Sequence, residues 1–146
     1  MKRFKPVYDN YDEFFSALTE QCHATYQLLT KRSSHSIKLR NQTLAKKNIP
    51  EGDPRMLPSS FSFYSVTIFY TPGIEHSKKG KGNRQRRIIR CLGCGTKMKA
   101  LTKRDGEETW KVVVTWWGYH NHIRSEERFR YYAENRRITR VIQRSD

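Results

Sequence analysis

The sequence predicts an α+β fold, a small antiparallel β-sheet of three to four strands flanked by an N-terminal and a C-terminal helix. Three observations carry this expectation. Apolar residues recur at helical spacing near both ends of the chain and alternate with polar ones through its middle. An Asp105-Gly106 pair then separates two alternating runs, as a hairpin requires.

Taken in order, residues 9–30 read as an amphipathic helix with Phe14, Phe15, Leu18, Cys22, Tyr26 and Leu29 on one face. Asn10 or Asp12 caps it, and Asp12 and Glu13 suit the positive end of its dipole. Residues 34–41 suggest a short strand with Ile37 and Leu39 on one side, and Pro50, Gly52, Pro54 and Pro58 break the chain over 48–60. Tyr64, Val66, Ile68 and Tyr70 alternate within a strand over 61–70. A lysine-rich loop with Pro72, Gly73, Gly80 and Gly82 follows, then strands over 86–91, 96–103 and 109–118. The last of these places Trp110, Val112, Val114 and Trp116 on one face. Residues 125–143 read as a charged helix with Phe129, Tyr132, Ile138 and Ile142 as its apolar positions. The expected organisation is an N-terminal helix and strand extension over 1–60, a β-domain over 61–122, and a basic helix over 123–146.

Only 36% of the 146 residues are apolar, and the mean hydropathy is −0.88. That is a thin supply for a core of this size, so an additional staple is expected. Aromatic residues make up 12% of the chain, which argues against a disordered tail. Lys and Arg number 29 against 14 acidic residues, a formal charge of +15. A polyanion is the natural partner, and nucleic acid is the commonest. The basic residues sit among strand-like segments rather than on one amphipathic helix, which disfavours a membrane surface. No apolar run is long enough for a membrane span or a signal peptide.

The count of three cysteines is odd, which argues against a disulfide framework and for an intracellular protein. Cys91 and Cys94 are three positions apart, and Gly93 and Gly95 permit the tight turn that lets two thiolates share one ion. His120 and His122 follow at a strand end, at the i, i+2 spacing that places two side chains on one face. Cys91, Cys94, His120 and His122 make a tetrahedral zinc set, and a hairpin between the two pairs brings them together. The expected sheet is therefore zinc-stapled. Cys22 belongs to the core face of the first helix, and His23, His35 and His76 have no partner at metal spacing. A catalytic zinc would keep an open position and a nearby carboxylate, yet no acidic residue lies between Glu75 and Asp105. No enzymatic role is expected.

Ahead of Cys91, the residues Lys78, Lys79, Lys81, Arg84, Arg86, Arg87 and Arg90 crowd together, and Lys97 and Lys99 follow it. A solvated loop or a nuclear-import signal is the plain explanation for such a run. Its direct continuation into a metal-fixed strand instead suits DNA, with Arg reading guanine in the major groove and other cations holding phosphates. Trp116, Trp117 and Tyr119 offer stacking surfaces for single-stranded bases, or else core and shielding for the metal.

The series Lys81-Gly-Asn83, Arg87-Ile-Ile-Arg90-Cys91, Gly93-Cys94 and Thr115-Trp-Trp-Gly118-Tyr-His120-Asn-His122 resembles the WRKY and glial-cells-missing zinc-finger superfamily. The chain looks closer still to far-red-impaired-response type domains, which also form the N-terminal DNA-binding part of Mutator-like transposases. The shared features are a leading aromatic-rich helix, a segment from Lys31-Arg-Ser33 to Arg40-Asn41, and the run from Trp110 to His122. The resemblance implies the same four zinc ligands. The WRKYGQK heptad that reads bases in WRKY proteins is absent, so no target sequence carries over. Tyr70 stands where transposase-like relatives often keep their first ligand cysteine; either Cys91 takes that role, which is the expectation, or the zinc site is incomplete. The resulting expectation is a nuclear, double-stranded DNA-binding module of a transcription regulator or a transposase-derived protein. An RNA or single-strand binder, or a zinc-stabilised protein-interaction adaptor, is the alternative.

Overall fold

A computed structural model describes residues 5–70 and 94–131 of the chain. Its elements in chain order are β1 (Val7–Tyr8), α1 (Tyr11–Thr25), β2 (Leu29–Ser36), α2 (Ile37–Lys46), β3 (Phe63–Tyr70), β4 (Lys97–Arg104), β5 (Trp110–Trp117) and α3 (Glu126–Tyr131). The class is α+β, as expected. Among the described residues, however, the sheet has five strands rather than three or four, in the order β1-β5-β4-β3-β2 with every pairing antiparallel.

The two strands at the edges come from the first 60 residues. β1 is too short to leave a periodic signal. β2, Leu-Thr-Lys-Arg-Ser-Ser-His-Ser, is exposed along almost its whole length, so its apolar pattern is nearly blank. The strand expected over 34–41 is correct only to Ser36. There the Ser36 hydroxyl accepts from the Leu39 amide at 3.2 Å and caps α2, so Ile37 and Leu39 lie on a helix. Ile37 and Leu44 are buried one above the other, two turns apart, whereas Leu39 is exposed.

α1 is shorter than the 9–30 expected. Asn10 caps its start by accepting from Glu13 N at 2.8 Å, and the Glu13 carboxylate reaches back to Asp9 N at 3.1 Å. At its end Tyr26 adopts a left-handed conformation (φ 55°), and both Tyr26 N–H and Gln27 N–H point at Cys22 O. This turn frees the following residues to enter β2.

One face of the sheet packs against α1. Tyr11, Phe14 and Leu18 meet Val66 and Ile68 of β3, Met98 and Ala100 of β4, and Val112 and Val114 of β5. Phe14 is fully buried, and burial of one such side chain contributes about 1.5–3 kcal/mol. The loop of residues 105–109 closes the β4–β5 hairpin, with Gly106 at φ 91° and Asp105 N donating to Thr109 O. It is longer than a two-residue turn, but the Asp105-Gly106 signal marks its place correctly. Of the helix expected over 125–143, α3 is described to Tyr131. Phe129 is buried and packs against the rings of His23 and Tyr26, and Tyr26 Oη donates to Glu126 at 3.3 Å. No described helix is long and apolar enough to cross a membrane.

Candidate metal centre

Three strand ends meet at one corner of the sheet. β3 ends at Tyr70, β4 starts just after Cys94-Gly95-Thr96, and β5 ends at Trp117 opposite Lys97. Tyr70 N donates to Thr96 O at 3.2 Å, which ties the end of β3 to the segment carrying Cys94. Gly118 then takes φ 79°, and a Cβ there would stand 2.6 Å from the carbonyl oxygen of Gly95. Only glycine fits so close a crossing of two backbones. His120 and His122 thus lie beyond the strand rather than on it, and the turn at Gly118, not strand alternation, carries them toward Cys94.

Cys94, His120 and His122 form a compact group whose ligand atoms all lie within 4.8 Å of one another. Among the described residues no other set of three His, Cys or acidic side chains comes this close. Cys94 is buried, and its Sγ is 3.5 Å from Nδ1 of His120 and 3.4 Å from the Thr96 hydroxyl. A tetrahedral ion with bonds of about 2.3 Å to sulfur and about 2.0 Å to nitrogen would hold two such donors about 3.5 Å apart. The observed separation fits that edge.

His122 supplies the second test of fit. Its Nδ1 lies 3.2 Å from the Ile123 carbonyl, which can only accept, so Nδ1 bears the proton and Nε2 presents its lone pair. That Nε2 is buried and has no hydrogen-bond partner among the described residues. A buried acceptor left alone is costly, and a metal ion would satisfy it. Burial, then the positive charge of Arg124, lowers the proton affinity of His120 and favours the neutral imidazole that a metal requires. These three residues are therefore close enough, and chemically suited, to bind a metal ion.

Tyr70, almost completely buried, lies flat against His122 (ring centroids 4.9 Å, interplanar angle 5°) and edge-on to His120 at 4.8 Å. It walls the group and restricts both imidazoles. Gln27, at the end of α1, brings its Oε1 to 3.1 Å from Nε2 of His120. The resemblance placed Tyr70 at a ligand position of its relatives, but neither contact itself was visible in the sequence, because each joins segments far apart in the chain.

Cys91, Lys78, Lys79, Lys81, Arg84, Arg86, Arg87, Arg90 and His76, and the strand expected over 86–91, lie outside the described residues. Lys97 and Lys99 are exposed on β4, while Met98 and Ala100 between and after them are buried. Cys22 packs against the core as expected, and burial pushes its thiol pKa up, away from the thiolate a metal needs. His23 and His35 are exposed and stand apart from the group. Among the described residues, the five strands together carry Lys31, Arg32, Lys97, Lys99, Lys103, Arg104 and Lys111, and no Asp or Glu. Fold and site together define a small α+β protein with a potential metal centre at one corner of a basic sheet. No protein-family model, curated protein or solved structure matches the chain.

Proposed function

We propose that this chain is a zinc-stabilised module that binds double-stranded DNA, acting in the nucleus as part of a transcription regulator or a transposase-derived protein. The observation that carries the reading is the convergence of Cys94, His120 and His122 beside a strand whose solvent side bears Lys97 and Lys99. One thiolate and two imidazoles suit zinc, and Cys91 is our candidate for the fourth ligand. A second thiolate would close the shell and leave no position for substrate, which favours a structural over a catalytic ion. The formal charge of +15 and the absence of acidic side chains from the strands suit a phosphate backbone. The order of motifs from Lys81 to His122, similar to that of WRKY and far-red-impaired-response type domains, adds support.

The test is binding of the zinc-loaded chain to random-sequence duplexes across a salt series, with and without chelator. Affinity that falls steeply with salt and disappears on chelation supports the reading. Failure to bind duplex at low salt would contradict it. Partial exposure of Trp116 and Trp117 and near-complete exposure of Tyr119 favour a second reading, stacking on single-stranded DNA or RNA. Competition by single strands that outmatches duplex competitor at equal salt would select that one.

A further inference from the structure

The hydrogen bonds behind His120 form a chain with only one consistent direction. It starts in the last turn of α1, where Thr25 Oγ1 donates to the Gln21 carbonyl at 2.6 Å. With its proton so used, Thr25 Oγ1 is an acceptor, and Gln27 Nε2 donates to it at 2.7 Å. The other end of the Gln27 amide is then its oxygen, which faces Nε2 of His120 at 3.1 Å. An amide oxygen only accepts, so His120 carries its proton on Nε2 and presents the lone pair of Nδ1 toward Cys94 Sγ. The opposite amide orientation would set the Gln27 NH₂ against Nε2 and move the ring proton to Nδ1, between the imidazole and the sulfur.

We infer that Gln27 is a positioning residue of the metal centre: it fixes the His120 tautomer, makes Nδ1 the ligating atom, and ties the metal to the end of α1. The inference rests on the reading of Cys94, His120 and His122 as metal ligands. Gln27 is suited to the role because it is 4% exposed, beyond the reach of competing water, and its backbone is anchored to Cys22 O by the turn at Tyr26. His122 uses the opposite nitrogen, since its own Nδ1 proton goes to the Ile123 carbonyl. The two imidazoles therefore ligate through different atoms, one through Nδ1 and one through Nε2. Outer partners of this kind orient ligands and raise their basicity, and losing one typically weakens metal affinity by roughly 10–100-fold.

The test has two arms on the full-length chain. In the zinc-loaded wild type, ring-nitrogen NMR should show His120 ligated through Nδ1 with a proton on Nε2, and His122 the reverse. In zinc competition against a chromophoric chelator, Gln27→Ala should lose about 10–100-fold in affinity. Gln27→Glu, which keeps an acceptor toward His120, should stay within a few-fold of wild type. Ligation of His120 through Nε2, or wild-type affinity in a folded Gln27→Ala, would overturn the role of Gln27 while leaving the metal site intact. If Gln27→Ala does not fold, the NMR arm decides alone. A wild-type chain that takes up no zinc would overturn both the role and the reading beneath it.

Discussion

At the scale of single residues, the proposed metal centre depends on a few positions that differ in what they contribute. Cys94 and His122 offer donor atoms, so Cys94→Ala and His122→Ala should each abolish tight zinc binding and leave the sheet unstapled. His35→Ala, which removes an exposed imidazole, should change nothing measurable in a zinc titration. Gly118 offers no donor but sets the approach. Gly118→Ala forces a left-handed alanine, a strain of roughly 1–3 kcal/mol, and adds the clash with Gly95. We expect a lower melting temperature and weaker metal affinity together, and a variant stable and metal-tight as wild type would refute the close crossing. The sequence made Cys94, His120 and His122 legible because ligand chemistry needs those residue types at short spacing. The resemblance marked the position of Tyr70 but not its ring stack, and nothing marked Gln27, because both contacts are created only when distant segments fold together.

Elements were legible in proportion to how one-sided their burial is. β3, β4 and β5 each present a buried face to α1, and their alternation located them to within a few residues. β2 is solvent-exposed on an edge, so nothing in its apolar pattern distinguishes it, and α2 was hidden because Ile37 and Leu39 mimic strand spacing over its first turn. The true helix is held by Ile37, Leu44 and a side-chain clasp. Asn41 Nδ2 donates to Leu57 O at 2.9 Å, and Leu57 N donates to Asn41 Oδ1 at 3.0 Å. Asn41→Ala leaves both backbone groups of the half-buried loop without these partners and should cost roughly 1–3 kcal/mol in chemical denaturation. By contrast Leu39→Lys, on the exposed side, should stay within about 0.5 kcal/mol of wild type. A large loss at Leu39 and none at Asn41 would instead support the strand that the sequence suggested.

For the whole molecule, a thin apolar supply and a large positive charge pull in the same direction. The core under α1 is small, and self-repulsion among 29 basic side chains works against compactness. A metal at the corner where β3, β4 and β5 end would join strands that the hairpin loop ties only at the far side. A phosphate backbone would neutralise the charge those strands carry. If DNA binding neutralises about six phosphates, affinity should fall by roughly three decades between about 50 and 200 mM salt. A flat salt profile would point to a protein partner instead. All of this depends on the metal, and zinc itself is spectroscopically silent, so the decisive measurement uses cobalt. Cobalt(II) titrated into the reduced chain should saturate at one ion per chain, with the strong visible absorption of a tetrahedral site and a thiolate charge-transfer band that Cys94→Ala weakens, since Cys91 is then the one proposed sulfur ligand left. A weak octahedral spectrum, or a thiolate band of undiminished strength in a folded Cys94→Ala chain, would contradict the account.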